Sequence, residues 1–138
     1  MSYLDTKQAF LTQLRTVVNV NDLAFENNRF DPKNKSLWFA AYFLPVSSEM
    51  MGKTSASGDE QRGIFQVSVF VPVNGFESSN TQLQAIDDVL SGFIYNTSIV
   101  YNEQRVDILS STVNNGTESE AWFQRDISIN YLTFSERV

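Results

Sequence analysis

The chain has 138 residues, 42% of them hydrophobic and 13% aromatic, which suits one domain with its own core and excludes wholesale disorder. Cysteine and histidine are both absent, which removes disulfides, thiol nucleophiles, Ser-His and Cys-His catalytic systems, and metals held by Cys or His. A net charge of −6, with its 10 Lys and Arg scattered, argues against a general nucleic-acid-binding surface, although like charge would let DNA slide past without sticking.

In chain order, Ser2 to Val18 places Phe10, Leu14 and Val17 or Val18 at the three-to-four-residue spacing of one helix face. This amphipathic helix is expected to end near Asn19 to Asn21, and Leu23-Ala24-Phe25-Glu26 to form a short strand. Asn27 to Ser36 reads as a loop with an Asp-Pro turn. Two strand-like runs follow: Leu37-Trp38-Phe39-Ala40-Ala41-Tyr42-Phe43-Leu44, closed by Pro45, and Arg62-Gly63-Ile64-Phe65-Gln66-Val67-Ser68-Val69-Phe70-Val71, closed by Pro72. In the second, Phe65, Val67, Val69 and Val71 alternate with Gln66 and Ser68, the period of a half-buried antiparallel strand. The first carries bulky residues on both faces, so it is either covered on both sides or buried on one side by a partner subunit. The two runs are expected to be the central pair of the sheet, joined by a polar loop over residues 46–61 that is too long for a tight hairpin.

Val73 to Phe76 is a turn, and Ser78-Ser79-Asn80-Thr81 offers helix caps. The next helix has Leu83, Ile86, Val89, Leu90, Phe93 and Ile94 on one stripe and Gln84, Asp87, Asp88 and Ser91 opposite. Strands are expected at Ser98–Tyr101, Arg105–Val113 and Ala121–Phe134, the last with Phe123, Ile127, Ile129 and Tyr131 on its apolar face. Asn115-Gly116 is the strongest short hairpin signal. Two helices that do not separate parallel strands make this a single α+β domain over residues 1–138, a mainly antiparallel β-sheet packed against two α-helices. No apolar run approaches the roughly 18–20 residues of a membrane helix, and Met1 to Asp5 lacks the pattern of a signal peptide, so no membrane role is expected.

No constellation supports catalysis. Asp87 and Asp88 diverge by about 100° on a helix, so they read as a solvated face rather than converging carboxylates. Asp59-Glu60 lacks the alternating ligands of a calcium loop, and Gly52-Lys53-Thr54 lacks the upstream glycine of a phosphate-binding loop. The chain is therefore expected to be no enzyme and to need no cofactor or metal. Contact surfaces are the better candidates: Trp38, Tyr42 and Leu44 on one strand face, and Met50-Met51 within polar surroundings, since flexible Met side chains suit adaptable contacts.

The helix, the strand ending in Leu44-Pro45, the Gly-containing loop and Arg62-Gly63-Ile64-Phe65-Gln66-Val67-Ser68-Val69-Phe70-Val71-Pro72 together resemble the tail terminator-like proteins of long-tailed bacteriophages. The Gly75 turn, the helix with Ile86-Asp87 and Phe93, and the final strand with Trp122 and Tyr131 continue the likeness over nearly the whole chain. The resemblance implies a structural virion protein, assembled in the host bacterial cytoplasm, that forms a homo-oligomeric (hexameric) ring. Such a ring caps the tail tube, ends its polymerisation, meets the head–tail connector and lets DNA pass through its lumen without specific binding. It would place a subunit seam at Trp38, Tyr42 and Leu44, and a loop docking on tube protein or connector at Glu49, Met50, Met51, Lys53, Asp59 and Glu60. Another neck or tail component, such as a connector adaptor or tail tube protein, would share the fold class; a small ligand-binding α+β domain is a further alternative.

Overall fold

The computed structural model describes residues 2–26, 30–32, 35–50, 58–73, 78–119 and 121–136, with only the backbone at residues 2, 48–50, 58, 59, 135 and 136. The elements run α1 (Ser2–Leu14), a 3₁₀ turn (Val20–Asp22), β1 (Leu23–Phe25), β2 (Trp38–Met50), β3 (Gly58–Pro72), α2 (Ser78–Gly92), β4 (Ser98–Tyr101), β5 (Gln104–Val113), β6 (Thr117–Ser119) and β7 (Trp122–Glu136). The strands form one sheet in the order β1-β2-β3-β7-β5-β4, with β6 beside β7. Only β1 runs parallel to its neighbour, β2; every other pairing is antiparallel. The α+β class read from the sequence is the observed one.

Both helices cover one face of the sheet, and the strand alternation supplies the inward residues: Phe39 and Ala41, then Phe65, Val67 and Val69, then Ile127, Ile129 and Tyr131, then Val106 and Ile108. Phe10 of α1 is fully buried among them, stacked on Phe65 at 4.6 Å between ring centres and edge-on to Tyr131 at 5.2 Å. Burying a side chain of this size contributes about 1.5–3 kcal/mol, so Phe10 does much to fix α1 on the sheet. A polar residue anchors α2. Buried Gln82 donates its amide to the carbonyls of Val69 (3.0 Å) and Phe123 (3.2 Å), and its oxygen accepts from Arg125 Nε (3.1 Å).

Several expectations are corrected. Helix α1 ends at Leu14, not near Val18, and gives way to turns such as Thr16 N–H to Gln13 O at 3.1 Å. On α2 the inward stripe is Gln82, Ala85, Ile86 and Val89, continued by Phe93 beyond the helix. Because Gln82 finds partners inside, the stripe is rotated, and Leu83 and Ile94 point outward, 44% and 53% exposed. The central pair is β3–β7, matched without a break from Gly58↔Glu136 to Pro72↔Trp122; β2 lies next to the edge. The loop expected over 46–61 is mostly strand, because β2 and β3 keep pairing past a bulge between Pro45 and Ser47, out to Met50↔Asp59. Asn115-Gly116 is no tight hairpin turn either. The positive-φ pair is Asn102 (49°) and Glu103 (68°), between β4 and β5. Gly116 is required for space instead, since an added Cβ would stand 1.8 Å from the Phe123 ring.

Candidate interaction surfaces

The sheet face away from the helices is uncovered and divides into zones. At one end, Trp38 stacks on Phe70 with ring centres 3.9 Å apart, stacks on Phe30 at 5.1 Å and meets Trp122 edge-on at 5.8 Å. Across the middle runs a polar band. Asp126 Oδ1 accepts from Ser68 Oγ (2.6 Å) and Gln124 Nε2 (2.7 Å), and Asp126 Oδ2 accepts from Asn114 Nδ2 (3.0 Å). Burial alone would raise the Asp126 carboxyl, but these three hydrogen bonds outweigh it and hold its pKa below the usual carboxylate value. Tyr42 and Leu44 are exposed on the same face of β2. Of the expected seam residues, Trp38 is thus engaged within its own subunit, while Tyr42 and Leu44 are free to touch another molecule.

The expected docking residues are only partly described. Glu49 and Met50 lie in β2, opposite Glu60 and Asp59 of β3. The Glu60 carboxylate pairs with Arg62 Nε at 2.6 Å on its own strand. Met51 and Lys53 lie outside the described residues. Among the described residues, no group of three or more Cys, His, Asp or Glu could hold a metal ion, and no helix is long and apolar enough to cross a membrane.

The two sheet edges differ. On the β2 side, β1 covers only Phe39 to Ala41. The next edge-facing amide, Phe43 N–H, donates to the Glu26 carboxylate, and Pro45, two residues on, has no N–H to offer. At the other edge, β4 bonds inward to β5 through alternate residues, as in Ile108 N–H to Thr97 O at 2.9 Å, so the backbone groups of Ser98 and Val100 face out with no strand beside them. Around this open edge gather exposed large apolar side chains: Leu83, Ile94, Tyr95 and Val100, the last 65% exposed. The opposite flank of the helical layer holds a cavity of about 320 Å³ between α1 and β1–β2, lined by Lys7, Leu11, Arg15, Phe25, Glu26 and Phe43 among others. Arg15 lies over the Phe25 ring at 5.4 Å. These two flanks were missed in the sequence, where Leu83 and Ile94 fall on a stripe that reads as buried and Lys7 and Arg15 are isolated cations.

The fold has relatives among solved structures. One chain, whose name states no function, aligns with a TM-score of 0.70 at 25% identity, over 96% of both chains. A chain from the virion of a native gene transfer agent particle aligns with a TM-score of 0.52 at 15% identity, over 98% of this chain and 99% of that one, a likeness of fold. No curated protein matches. The family model described as phage tail terminator protein matches residues 5–131, spanning both helices and the sheet from β1 into β7. The chain therefore belongs to the phage tail terminator protein family, structural proteins of phage tails rather than enzymes.

Proposed function

We propose that copies of this chain close into a ring, hexameric as its sequence resemblance implies, that caps the completed tail tube, stops its polymerisation and presents an interface to the head–tail connector. The observation that carries this reading is the family match across residues 5–131. In this reading the ring is built into the virion after assembly in the host bacterial cytoplasm. Its acidic subunits leave a lumen through which DNA passes without being held. Tyr42 and Leu44 contribute apolar contact on the uncovered sheet face. The end of the β2–β3 hairpin, with Glu49, Met50, Met51, Lys53, Asp59 and Glu60, docks on tube protein or connector.

Mass measurement by light scattering with negative-stain imaging tests this. Closed rings of fixed mass, which halt the elongation of tail tubes when added to them, are the expected result. Tubes of open-ended length would instead make it a tube protein. A monomer at every concentration would overturn the ring and favour a ligand-binding domain.

A further inference from the structure

We propose that neighbouring copies in the ring meet through opposite flanks of the helical layer: the outer flank of α2 with the open edge of β4 on one copy, and the α1–β1 groove on the next. This rests on the ring reading above and moves the seam away from Trp38, Tyr42 and Leu44.

A closed ring of identical chains is heterologous, so each subunit must carry two different surfaces that fit each other. The two flanks meet that requirement. Leu37 of the β2 side shares a cavity with Thr81, Gln84 and Asp88, which fixes that flank of α2 toward β2. Leu83, Asp87 and Ile94 lie roughly 120–180° around the helix from there, toward the β4 side, by the 100° step per residue. With Tyr95 and Val100 they make an apolar surface carrying one carboxylate, and that of Asp87 has no partner among the described residues. The groove has the complementary character: apolar walls from Leu11, Phe25 and Phe43, and two cations, Lys7 and Arg15. Lys7 has no partner among the described residues, and the one acid in the groove, Glu26, is already engaged by Phe43 N–H. Opposite charges on matched apolar surfaces set the register and disfavour wrong pairings.

The edges point the same way. The β2 edge is closed by Glu26 and Pro45, so β4 of one copy cannot extend the sheet of the next through β2. Pairing of β4 with β4 would be isologous and would stop at two subunits. A ring must therefore cover β4 with side chains, and the groove of the next copy supplies them.

The chain has no native cysteine, which permits a direct test. In the full chain carrying Asp87→Cys and Lys7→Cys, mild oxidation should give a ladder of disulfide-linked multimers, absent from either single variant beyond dimer. Independently, Leu83→Glu/Asp87→Lys and Lys7→Glu/Arg15→Glu chains should each sediment as monomers. Their equimolar mixture should give dimers that grow no further, because one intact seam remains per pair. Circular dichroism shows whether each charge variant is folded, and the cysteine chain decides if one is not. Wild-type-like rings from either folded charge variant, a mixture that stays monomeric, or no ladder from the double-cysteine chain would overturn the seam while leaving the ring standing. A monomeric wild-type chain would overturn the ring reading and the seam with it.

Discussion

The hydroxyl of Tyr131 is buried over Gly63, where an added Cβ would stand 2.5 Å from it, and no described group bonds to it. Burial first, and then the charge of Tyr3, push its ionisation above the ordinary tyrosine range. Tyr131→Phe removes a desolvated hydroxyl that makes no hydrogen bond, so the variant should be more stable by about 1 kcal/mol in urea titration. A loss of that size would mean the hydroxyl has a partner. The raised pKa also has a sign: the neutral phenol favours the fold fully below the ordinary tyrosine pKa of about 10, and that contribution is lost at higher pH, so the Phe variant should hold up better in alkali. Asp126 runs the other way. Its depressed pKa stabilises the fold above the unfolded carboxylate pKa of about 3.9, and the contribution fades as pH falls through the folded value. Asp126→Asn should lower the urea midpoint at neutral pH and flatten its further fall on acidification; an unchanged acid slope would sink the assignment.

At the scale of elements, the β4–β5 connection holds Asn102 and Glu103 in the left-handed region. Such a backbone costs a non-glycine residue about 1–2 kcal/mol, and glycine there gives back about 0.4–1 kcal/mol through its freer unfolded chain. Glu103→Gly should therefore stabilise by about 0.5–1 kcal/mol, read as a rise in melting temperature. In the β2–β3–β7 arm, Arg62 is paired with Ser47 on one side and Leu132 on the other. Trypsin should spare the Arg62–Gly63 bond in the folded chain, and early cleavage there would show that the arm opens. The strands with strict apolar alternation, β3 and β7, were legible in the sequence, as was α1 from its spaced apolar residues. The outer parts of β2 and β3 were not, because Ser47, Ser48 and Glu60 to Arg62 extend a ladder of backbone bonds that side-chain polarity does not report. The flanking surface on α2 was hidden for a related reason: periodicity gives the stripe only to within one residue, and Gln82, a polar residue at an inward position, shifted it.

For the whole molecule, one buried cluster joins α1, α2 and residues from every strand except β4 and β6. A monomeric variant should accordingly unfold in one cooperative step. Its two tryptophans, Trp38 and Trp122, sit on the face away from that cluster, so their fluorescence should change together with far-ultraviolet dichroism. Separate midpoints would show that the uncovered face melts on its own. The closure of the β2 edge has one more consequence. A virion protein accumulates as free subunits before there is a tube to cap, and a bare strand at high concentration is a template for cross-β growth. Glu26 on Phe43 N–H and the imino nitrogen of Pro45 remove two successive rungs of that template, so the unassembled pool keeps its solubility through a carboxylate and a ring closure rather than through a chaperone.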